Sequence, residues 1–359
     1  MADVVIPPLS LSYADARAAF LEAAAGVEAR ITSAPHPLVG IDGEALFVDV
    51  AEIGPAEATS VIVIVSGTHG VEGYLGSALQ RYHLETADRD RGSGPTLVFV
   101  HALNPYGFSW VRRVNEDNVD LNRNFGDWTE TAPSNPGYSA MADVVVPASW
   151  SDEDQEQSLG LLMEKLDEVG IEELQQILSG GQFDHPTGIF YGGTGPTWSN
   201  TWLTGFLRER FEGVERAAII DLHTGLGPWG HGELISSAEP GDGALERQRE
   251  WWNEVTSLHD GSSVSAELAG EWLGAVPAVV PDTQITGVAI EYGTVDPISV
   301  LQSLRADAVL HATGDPTAPE AAAIRQQVRA AFIDDDPAWL QTCWPRYHSV
   351  LTSAMERLV

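Results

Sequence analysis

The most chemically informative feature of the sequence is the tetrapeptide at 69–72, which starts with His69, ends with Glu72 and follows the apolar run 61–65. An imidazole and a carboxylate three residues apart at a strand-to-helix turn can both reach one metal ion. An isolated His-x-x-Glu also arises by chance, and the alternative is a capping or surface role for Glu72. The small residues at 66–68, directly after a buried strand, favour the metal site.

A third ligand is available at the end of another apolar run. His223 follows the predicted strand 217–222 and can complete a triad with His69 and Glu72. Catalytic zinc takes three protein ligands and keeps a fourth position open for water. Because Cys343 is the single cysteine, a thiolate zinc site would lack partners. The sequence therefore predicts one zinc ion held by histidine and carboxylate.

Apolar, β-branched runs alternate along the chain with segments of helical spacing. This alternation predicts one α/β domain, residues 1–359, with a mixed, mostly parallel sheet flanked by helices. The predicted strands are 45–53, 61–65, 96–103, 217–222, 233–236 and 288–292, and the predicted helices are 12–30, 73–84, 152–178, 197–211, 243–258, 297–311 and 319–332. The stretch 110–148 is predicted to be irregular.

Several polar side chains stand at or just beyond the ends of predicted strands. They are His69, His101, Asn104, His223 and Glu291. In an open α/β sheet the active site gathers at the carboxyl ends of the strands. We therefore expect these residues to lie near one another, although His101 could equally be a core histidine.

The chain is strongly acidic, with 19 basic and 52 acidic residues and a net charge of −33. Such a surface repels phosphate backbones and anionic membranes, so neither nucleic acid nor a membrane is an expected partner. The first residues, 1–4, show no basic and apolar leader pattern, and no apolar run is long enough to span a bilayer. A cytoplasmic protein is expected.

The motifs taken together resemble a known family. The segments 69–72, 104–108 and 119–125, followed by a strand-end histidine and a strand-end glutamate, resemble the M14 zinc carboxypeptidases in type and order, in their DUF2817-type branch. They are also similar to the deacylase relatives, the succinylglutamate desuccinylase and aspartoacylase group. The matching core spans about 61–293. The segment 127–196 has no obvious counterpart, and we expect it to wall the substrate pocket.

The resemblance implies a role for each ligand and its support. His69, Glu72 and His223 match the family's zinc ligands, and Asp120 matches the carboxylate that holds the first histidine through its other ring nitrogen. The alternative for Asp120 is a turn-forming aspartate.

Asn122 and Arg123 match the pair that holds the free carboxylate of the substrate. A guanidinium suits a planar carboxylate because two parallel, charge-assisted hydrogen bonds fix its orientation. The alternative for Arg123 is a surface arginine that neutralises nearby acids.

Arg112 and Arg113 stand where the family has an arginine that stabilises the oxyanion, and spacing does not choose between them. The other arginine is expected to pair with surface acids such as Glu116 or Asp117. Glu291 matches the general base and acid, with an ion pair to an arginine as its alternative.

The remaining motifs carry weaker hypotheses. His231 could contact substrate, and His185 lies near the glycine cluster 191–195. This cluster lacks the strand and the lysine of a phosphate loop, so we interpret it as a turn at the pocket edge.

The implied activity is hydrolysis, by a zinc-activated water, of an amide next to a free carboxylate, in a peptide or another small substrate. A close alternative is a deacylase of small N-acyl amino acids. A non-catalytic metal- or ligand-binding protein is a third interpretation, disfavoured because every expected catalytic position is filled. A serine hydrolase is disfavoured because no Gly-x-Ser-x-Gly occurs at a strand end.

Overall fold

The computed structural model describes residues 6–87 and 94–359; the N-terminal segment 1–4, on which the expectation of no leader rests, lies outside them. The described strands are β1 (Arg30–Val39), β2 (Ala45–Ile53), β3 (Ser60–Ser66), β4 (Thr96–His101), β5 (Arg216–Trp229), β6 (Gly232–Ser236), β7 (Val255–Ser257) and β8 (Gln284–Gly293). The described α-helices are α1 (Tyr13–Gly26), α2 (Gly73–Thr86), α3 (Pro105–Trp110), α4 (Pro136–Ser139), α5 (Ala142–Val145), α6 (Asp152–Val169), α7 (Ile171–Ser179), α8 (Trp198–Arg210), α9 (Ala244–Trp252), α10 (Trp272–Val279), α11 (Pro297–Thr313), α12 (Ala321–Phe332) and α13 (Pro337–Arg357).

The strands form one sheet in the order β1-β2-β4-β3-β5-β8-β6-β7. Its centre, β4-β3-β5-β8, is parallel, while β1, β2 and β6 join it by antiparallel pairing. The predicted α/β domain with a mixed, mostly parallel sheet is confirmed. Because the central strands are parallel, their carboxyl ends meet at one edge of the domain.

The central strands are buried on both faces. In β3, Ile62 and Ile64 pack on the side of α1 and α2, while Val61, Val63 and Val65 pack on the side of α8 and α10. Side chains alternate between the two faces of a strand, so helices on both sides require an apolar residue at every position. This explains why β3 is a continuous apolar run.

Two edge strands were not predicted. β1 contains Pro35 and Pro37, which weaken its strand pattern and are tolerated at a sheet edge. β7 lies within the segment predicted as helix 243–258. That helix ends at Trp252 because Asn253 takes a φ of 60°, and the β-branched residues after it pair with β6.

Several helical segments also differ from the prediction: α3, α4, α5 and α10 were not predicted, and α4 and α5 lie in the stretch expected to be irregular. The acidic helix 152–178 is two helices, because Gly170 takes a φ of 83° between α6 and α7. The C-terminal segment, for which no element was predicted, forms α13, with Asp336 accepting a hydrogen bond from the Ala338 N–H and proline at the first helical position. No helix among the described residues combines the length and the hydropathy of a membrane-spanning segment.

His101 is a fully buried core residue. Its Nε2 lies 2.8 Å from the Ser77 hydroxyl, and its ring stacks on Phe20 at 4.5 Å. Burial lowers the pKa of His101 from 6.5 to about 4. The folded protein therefore holds this imidazole neutral where the unfolded chain would protonate it.

This burial predicts a loss of stability in mild acid. Above pH 6.5 neither state protonates His101, and as the pH falls toward 4 only the unfolded state gains the proton, so stability is lost. Between pH 7 and 5 this costs about 2 kcal/mol. The variant His101→Gln keeps a hydrogen-bond partner for Ser77 but has no group to protonate. Between pH 7 and pH 5 we expect its unfolding free energy to fall by about 2 kcal/mol less than that of wild type, as measured by urea unfolding at both pH values. Equal losses would contradict this assignment.

Candidate metal centre

The segment 69–72 forms a tight turn between β3 and α2. The predicted helix 73–84 corresponds to α2, which begins at Gly73 directly after this turn. Glu72 occupies the N-cap position but its side chain makes no capping hydrogen bond, which removes the capping alternative. A Cβ on Gly70 would lie 2.0 Å from the Gly107 carbonyl carbon, so only glycine fits this approach.

Three side chains converge where this turn meets the end of β5. His69 Nδ1 and His223 Nδ1 each lie 2.9 Å from a different carboxylate oxygen of Glu72, and the two Nδ1 atoms are 3.2 Å apart. All three residues are buried, and one ligand atom from each lies within 4.8 Å of the others. The donor atoms of the three residues predicted as ligands therefore converge on one point.

A buried aspartate holds the far nitrogen of each imidazole. His69 Nε2 lies 3.1 Å from Asp120 Oδ1, and His223 Nε2 lies 2.6 Å from Asp221 Oδ2. A carboxylate accepts only, so each Nε2 donates to its aspartate, and Nδ1 is the nitrogen of each ring that would release its proton to a metal at the shared point. Asp120 also caps its own turn through the Asn122 N–H, so the turn-forming interpretation is true as well.

No role was predicted for Asp221 from the sequence, although its spacing from His223 indicates one. Residues two apart in a strand point to the same face, and Asp221 stands two before His223 in β5. Its carboxylate also accepts hydrogen bonds from the Thr68 hydroxyl at 2.8 Å and the Trp272 indole at 2.6 Å. The position of Trp272, far along the chain on α10, could not be read from local spacing.

The donor set and its charge suit a divalent cation. Burial opposes ionisation of Glu72, but His69 and His223 lower its pKa below the usual range. Burial likewise opposes protonation of His223, but Asp221 and Glu72 raise its pKa well above the usual value. When a cation takes the place of the Nδ1 protons, the carboxylates of Glu72, Asp120 and Asp221 outnumber the guanidiniums of Arg113 and Arg123 by one, and the Glu291 carboxyl lies beside them. Two imidazole nitrogens and a carboxylate are also ligands that zinc accepts.

The structure separates the two candidate arginines. Arg113 donates from Nε to Asp120 at 2.9 Å and from Nη1 to Glu72 at 3.1 Å, and it lines the cavity beside the cluster. Arg112 is buried away from the cavity and pairs with Asp307 at 2.9 Å. The expectation that the second arginine pairs with Glu116 or Asp117 is wrong, because Arg112 pairs with the buried Asp307 on α11.

Asn122 and Arg123 also line the cavity. Arg123 donates from Nε and Nη2 to the Ser179 carbonyl and from Nη1 to the Asn122 carbonyl at 2.9 Å, so it is not a surface arginine. One N–H on each terminal nitrogen makes no hydrogen bond with a described residue. Burial lowers the pKa of Arg123 to about 10, which leaves it charged at neutral pH. The buried Asn122 Oδ1 has no partner among the described residues.

Glu291 lies beside the cluster because it pairs with His223 in the β5–β8 register. One of its oxygens accepts the Leu226 N–H at 2.9 Å, and it forms no ion pair with a described arginine, which removes that alternative. Burial, and then the Glu72 carboxylate, raise the pKa of Glu291 to about 7.

A cavity of about 740 Å³ opens from this cluster. Part of its wall comes from the segment 127–196, through α6, α7 and Phe190. The two further histidines considered as site residues lie elsewhere: His231 is exposed outside the lining, and His185 contacts Ser139 at 3.0 Å. Residues 191–195 brace the turn around Asp120, whose N–H donates to the Tyr191 carbonyl at 2.8 Å.

The support from Asp221 predicts a change in metal affinity. Asp221→Asn can present an N–H to His223 and so favour the wrong tautomer, and we expect zinc affinity to fall about 10–100-fold in a competition titration. Asp49→Asn is the matched control, since Asp49 is equally buried but pairs with Arg17 far from the cluster. Equal zinc affinity in Asp221→Asn and wild type would contradict the prediction.

Comparisons with known proteins place the chain in a family. No curated protein sequence matches it significantly. Among solved structures it is similar to carboxypeptidase A from Helicoverpa armigera, with a TM-score of 0.47 and 14% identity over 90% of this chain and 74% of that one. It is also similar to an aspartoacylase family protein from Mesorhizobium loti, with a TM-score of 0.38 and 15% identity over 74% of this chain and 61% of that one. A third similar structure is the ectoine utilization protein EutE from Ruegeria pomeroyi, with a TM-score of 0.39 and 13% identity over 79% of this chain and 67% of that one.

The family model described as "Protein of unknown function (DUF2817)" matches residues 9–346. Because this match spans nearly the whole chain, the protein belongs to the DUF2817 family.

Proposed function

We propose that this protein is a zinc-dependent hydrolase of the metallocarboxypeptidase type, which cleaves an amide bond next to a free carboxylate. The observation that carries the proposal is the convergence of His69, Glu72 and His223, with the far nitrogen of each imidazole held by a buried aspartate. His69 and His223 line a cavity, and a set of three protein ligands leaves a position for water or substrate, as in catalytic zinc sites.

Each part of the chemistry has a residue suited to it. Zinc held by this triad would polarise the scissile carbonyl and lower the pKa of water. Glu291 accepts a proton from the attacking water and returns it to the leaving nitrogen, a task that suits a carboxyl with a pKa of about 7.

Two guanidiniums supply positive charge to the substrate. Arg113 lines the cavity next to the cluster and stabilises the negative charge that develops on the carbonyl oxygen. Arg123 offers one N–H from each terminal nitrogen, the fork that a free carboxylate accepts. Asn122 lines the same wall, and its side-chain Nδ2 is a donor suited to the same carboxylate.

The same anchoring serves two substrate types. A peptide with a free C-terminus and an N-acyl amino acid both carry a carboxylate one carbon from the scissile amide nitrogen. They differ on the acyl side, which the residues from 127–196 help to enclose. The deacylase is the second candidate, favoured by the aliphatic lining of the cavity.

Removal of the proposed base predicts a large loss of activity. We expect Glu291→Gln to lower kcat/KM by about 10²–10⁴-fold on a panel of dipeptides and N-acyl amino acids, because proton transfer is lost. Bound zinc and the unfolding midpoint should stay at wild-type levels. Glu233→Gln is the control, since Glu233 pairs with Glu291 across the sheet but bonds to Thr256 at 2.6 Å. Activity of Glu291→Gln equal to that of this control would remove the mechanism.

The two adjacent arginines predict opposite phenotypes. Arg113→Gln should lower kcat by about 10²–10³-fold, because the developing oxyanion loses its donor. Arg112→Gln should keep kcat/KM per folded molecule but destabilise the fold by about 3–5 kcal/mol, because Asp307 loses its buried partner. Steady-state kinetics and urea unfolding of both variants test this, and the reverse pattern would contradict the assignment.

A further inference from the structure

The cavity beside the cluster is polar at one end and aliphatic over most of the rest. Its polar end holds His69, His223, Glu291 and the two guanidiniums. Beyond it, the wall from α6 and α7 presents Met163, Leu166, Leu174 and Leu178, and α11 contributes further aliphatic side chains. At about 740 Å³, the cavity lies in the upper part of the range of about 300–1,000 Å³ that holds drug-sized ligands. A short acyl group such as acetyl would leave most of it empty.

Several polar groups in the aliphatic part of the lining are engaged within the protein. Gln175 Nε2 donates to the Val264 carbonyl at 2.7 Å, and Ser179 Oγ donates to the Gln175 carbonyl at 2.7 Å. Thr294 Oγ1 contacts two backbone carbonyls, and the Glu271 carboxylate accepts the N–H groups of α10. A buried peptide unit would find few free partners here, and an unpaired amide is costly to bury, whereas an alkyl chain needs no partner.

The mouth of the cavity is apolar as well. Of the eleven large hydrophobic residues that are exposed in the described part of the chain, five line this cavity. Ile171 is 65% exposed, Ile298 48% and Trp229 45%. Apolar side chains on a strongly acidic surface are therefore concentrated where a substrate enters, and a long apolar group could remain in contact with protein up to the rim.

We infer that the preferred substrates are amphiphilic N-acyl amino acids with a medium or long aliphatic acyl chain. The inference rests on the proposed amide hydrolysis for the placement of the carboxylate and the scissile bond at the polar end. The acyl chain fills the aliphatic part of the cavity, where a peptide of the same length would bury unpaired amides.

Binding measured without turnover provides the first test. Zinc-loaded Glu291→Gln protein is titrated calorimetrically with N-acetyl-, N-octanoyl- and N-decanoyl-glycine below their micelle concentrations, and with leucyl-leucyl-glycine as the peptide of comparable length. Each methylene that enters the cavity should lower Kd by about fourfold. Equal Kd values for the acetyl and octanoyl compounds, or tighter binding of the tripeptide than of the octanoyl compound, would overturn the inference.

Two exposed positions give a matched pair of variants. Ile171 lines the mouth, whereas Leu161, 42% exposed on the adjacent helix α6, does not line the cavity. Ile171→Asn should raise Kd for the decanoyl compound by about tenfold and leave the acetyl compound unchanged, and Leu161→Asn should alter neither. Leu174 lines the cavity and is buried. Leu174→Trp should reduce the acyl-chain length beyond which added methylenes no longer lower Kd, and its unfolding midpoint checks that the variant is folded. Equal effects of Ile171→Asn and Leu161→Asn on decanoyl binding would overturn the inference.

Wild-type kinetics separate this inference from the proposed function. Hydrolysis with kcat/KM rising along the acyl series supports both. Equal or falling kcat/KM along the series overturns the acyl preference and leaves the amide hydrolase. Chain-length-dependent binding with no hydrolysis of any acyl amino acid or dipeptide overturns the hydrolase and supports the cavity as a site for acyl chains.

Discussion

The orientation of two imidazole rings is the constraint on which the site depends. Asp120 and Asp221, both fully buried, engage the Nε2 atoms of His69 and His223, so the two Nδ1 atoms must face each other and Glu72. Without these carboxylates either ring could flip or change tautomer, and the three donor atoms would not converge. The aspartates add negative charge in a place from which water is excluded. The hydrogen bonds from the two imidazoles to the aspartates therefore set the geometry of the donor atoms, and the aspartate charges favour a bound cation.

The parallel sheet makes this arrangement possible. The ends of β3, β5 and β8 lie side by side, which brings the 69–72 turn, His223 and Glu291 together from distant parts of the chain. The turn is then held by backbone hydrogen bonds from the Gly70 and Val71 N–H groups to the carbonyls of Arg113 and Arg112. Arg113 is thereby positioned by the same contact that positions the ligand turn. A single piece of packing couples the metal ligands to the guanidinium beside them.

The site joins two environments of opposite character. Buried carboxylates and guanidiniums form a charged cluster in which Arg113 pairs with both Glu72 and Asp120, which limits the cost of burying these groups. The adjoining cavity is walled mainly by α6, α7 and α11, whose aliphatic side chains present few free hydrogen-bonding groups. An amphiphilic ligand would match this division, because its polar end and its apolar end each find a suitable surface.

The amino-acid sequence was sufficient for the central strands, the class of fold and the residues that meet at the cluster. Continuous apolar runs specify strands buried on both faces, and the polar residues directly after them must gather at one edge of the sheet. Spacing along the chain did not separate Arg112 from Arg113, because adjacent side chains diverge and only the packing of α11 shows that Asp307 takes Arg112. The edge strands β1 and β7 were missed because their pairing depends on neighbours more than on pattern. The spacing of Asp221 two residues before His223 indicated that the two share a face, but the contact of Asp221 with Trp272 and the apolar character of the cavity depend on helices distant in sequence and emerged only from tertiary structure.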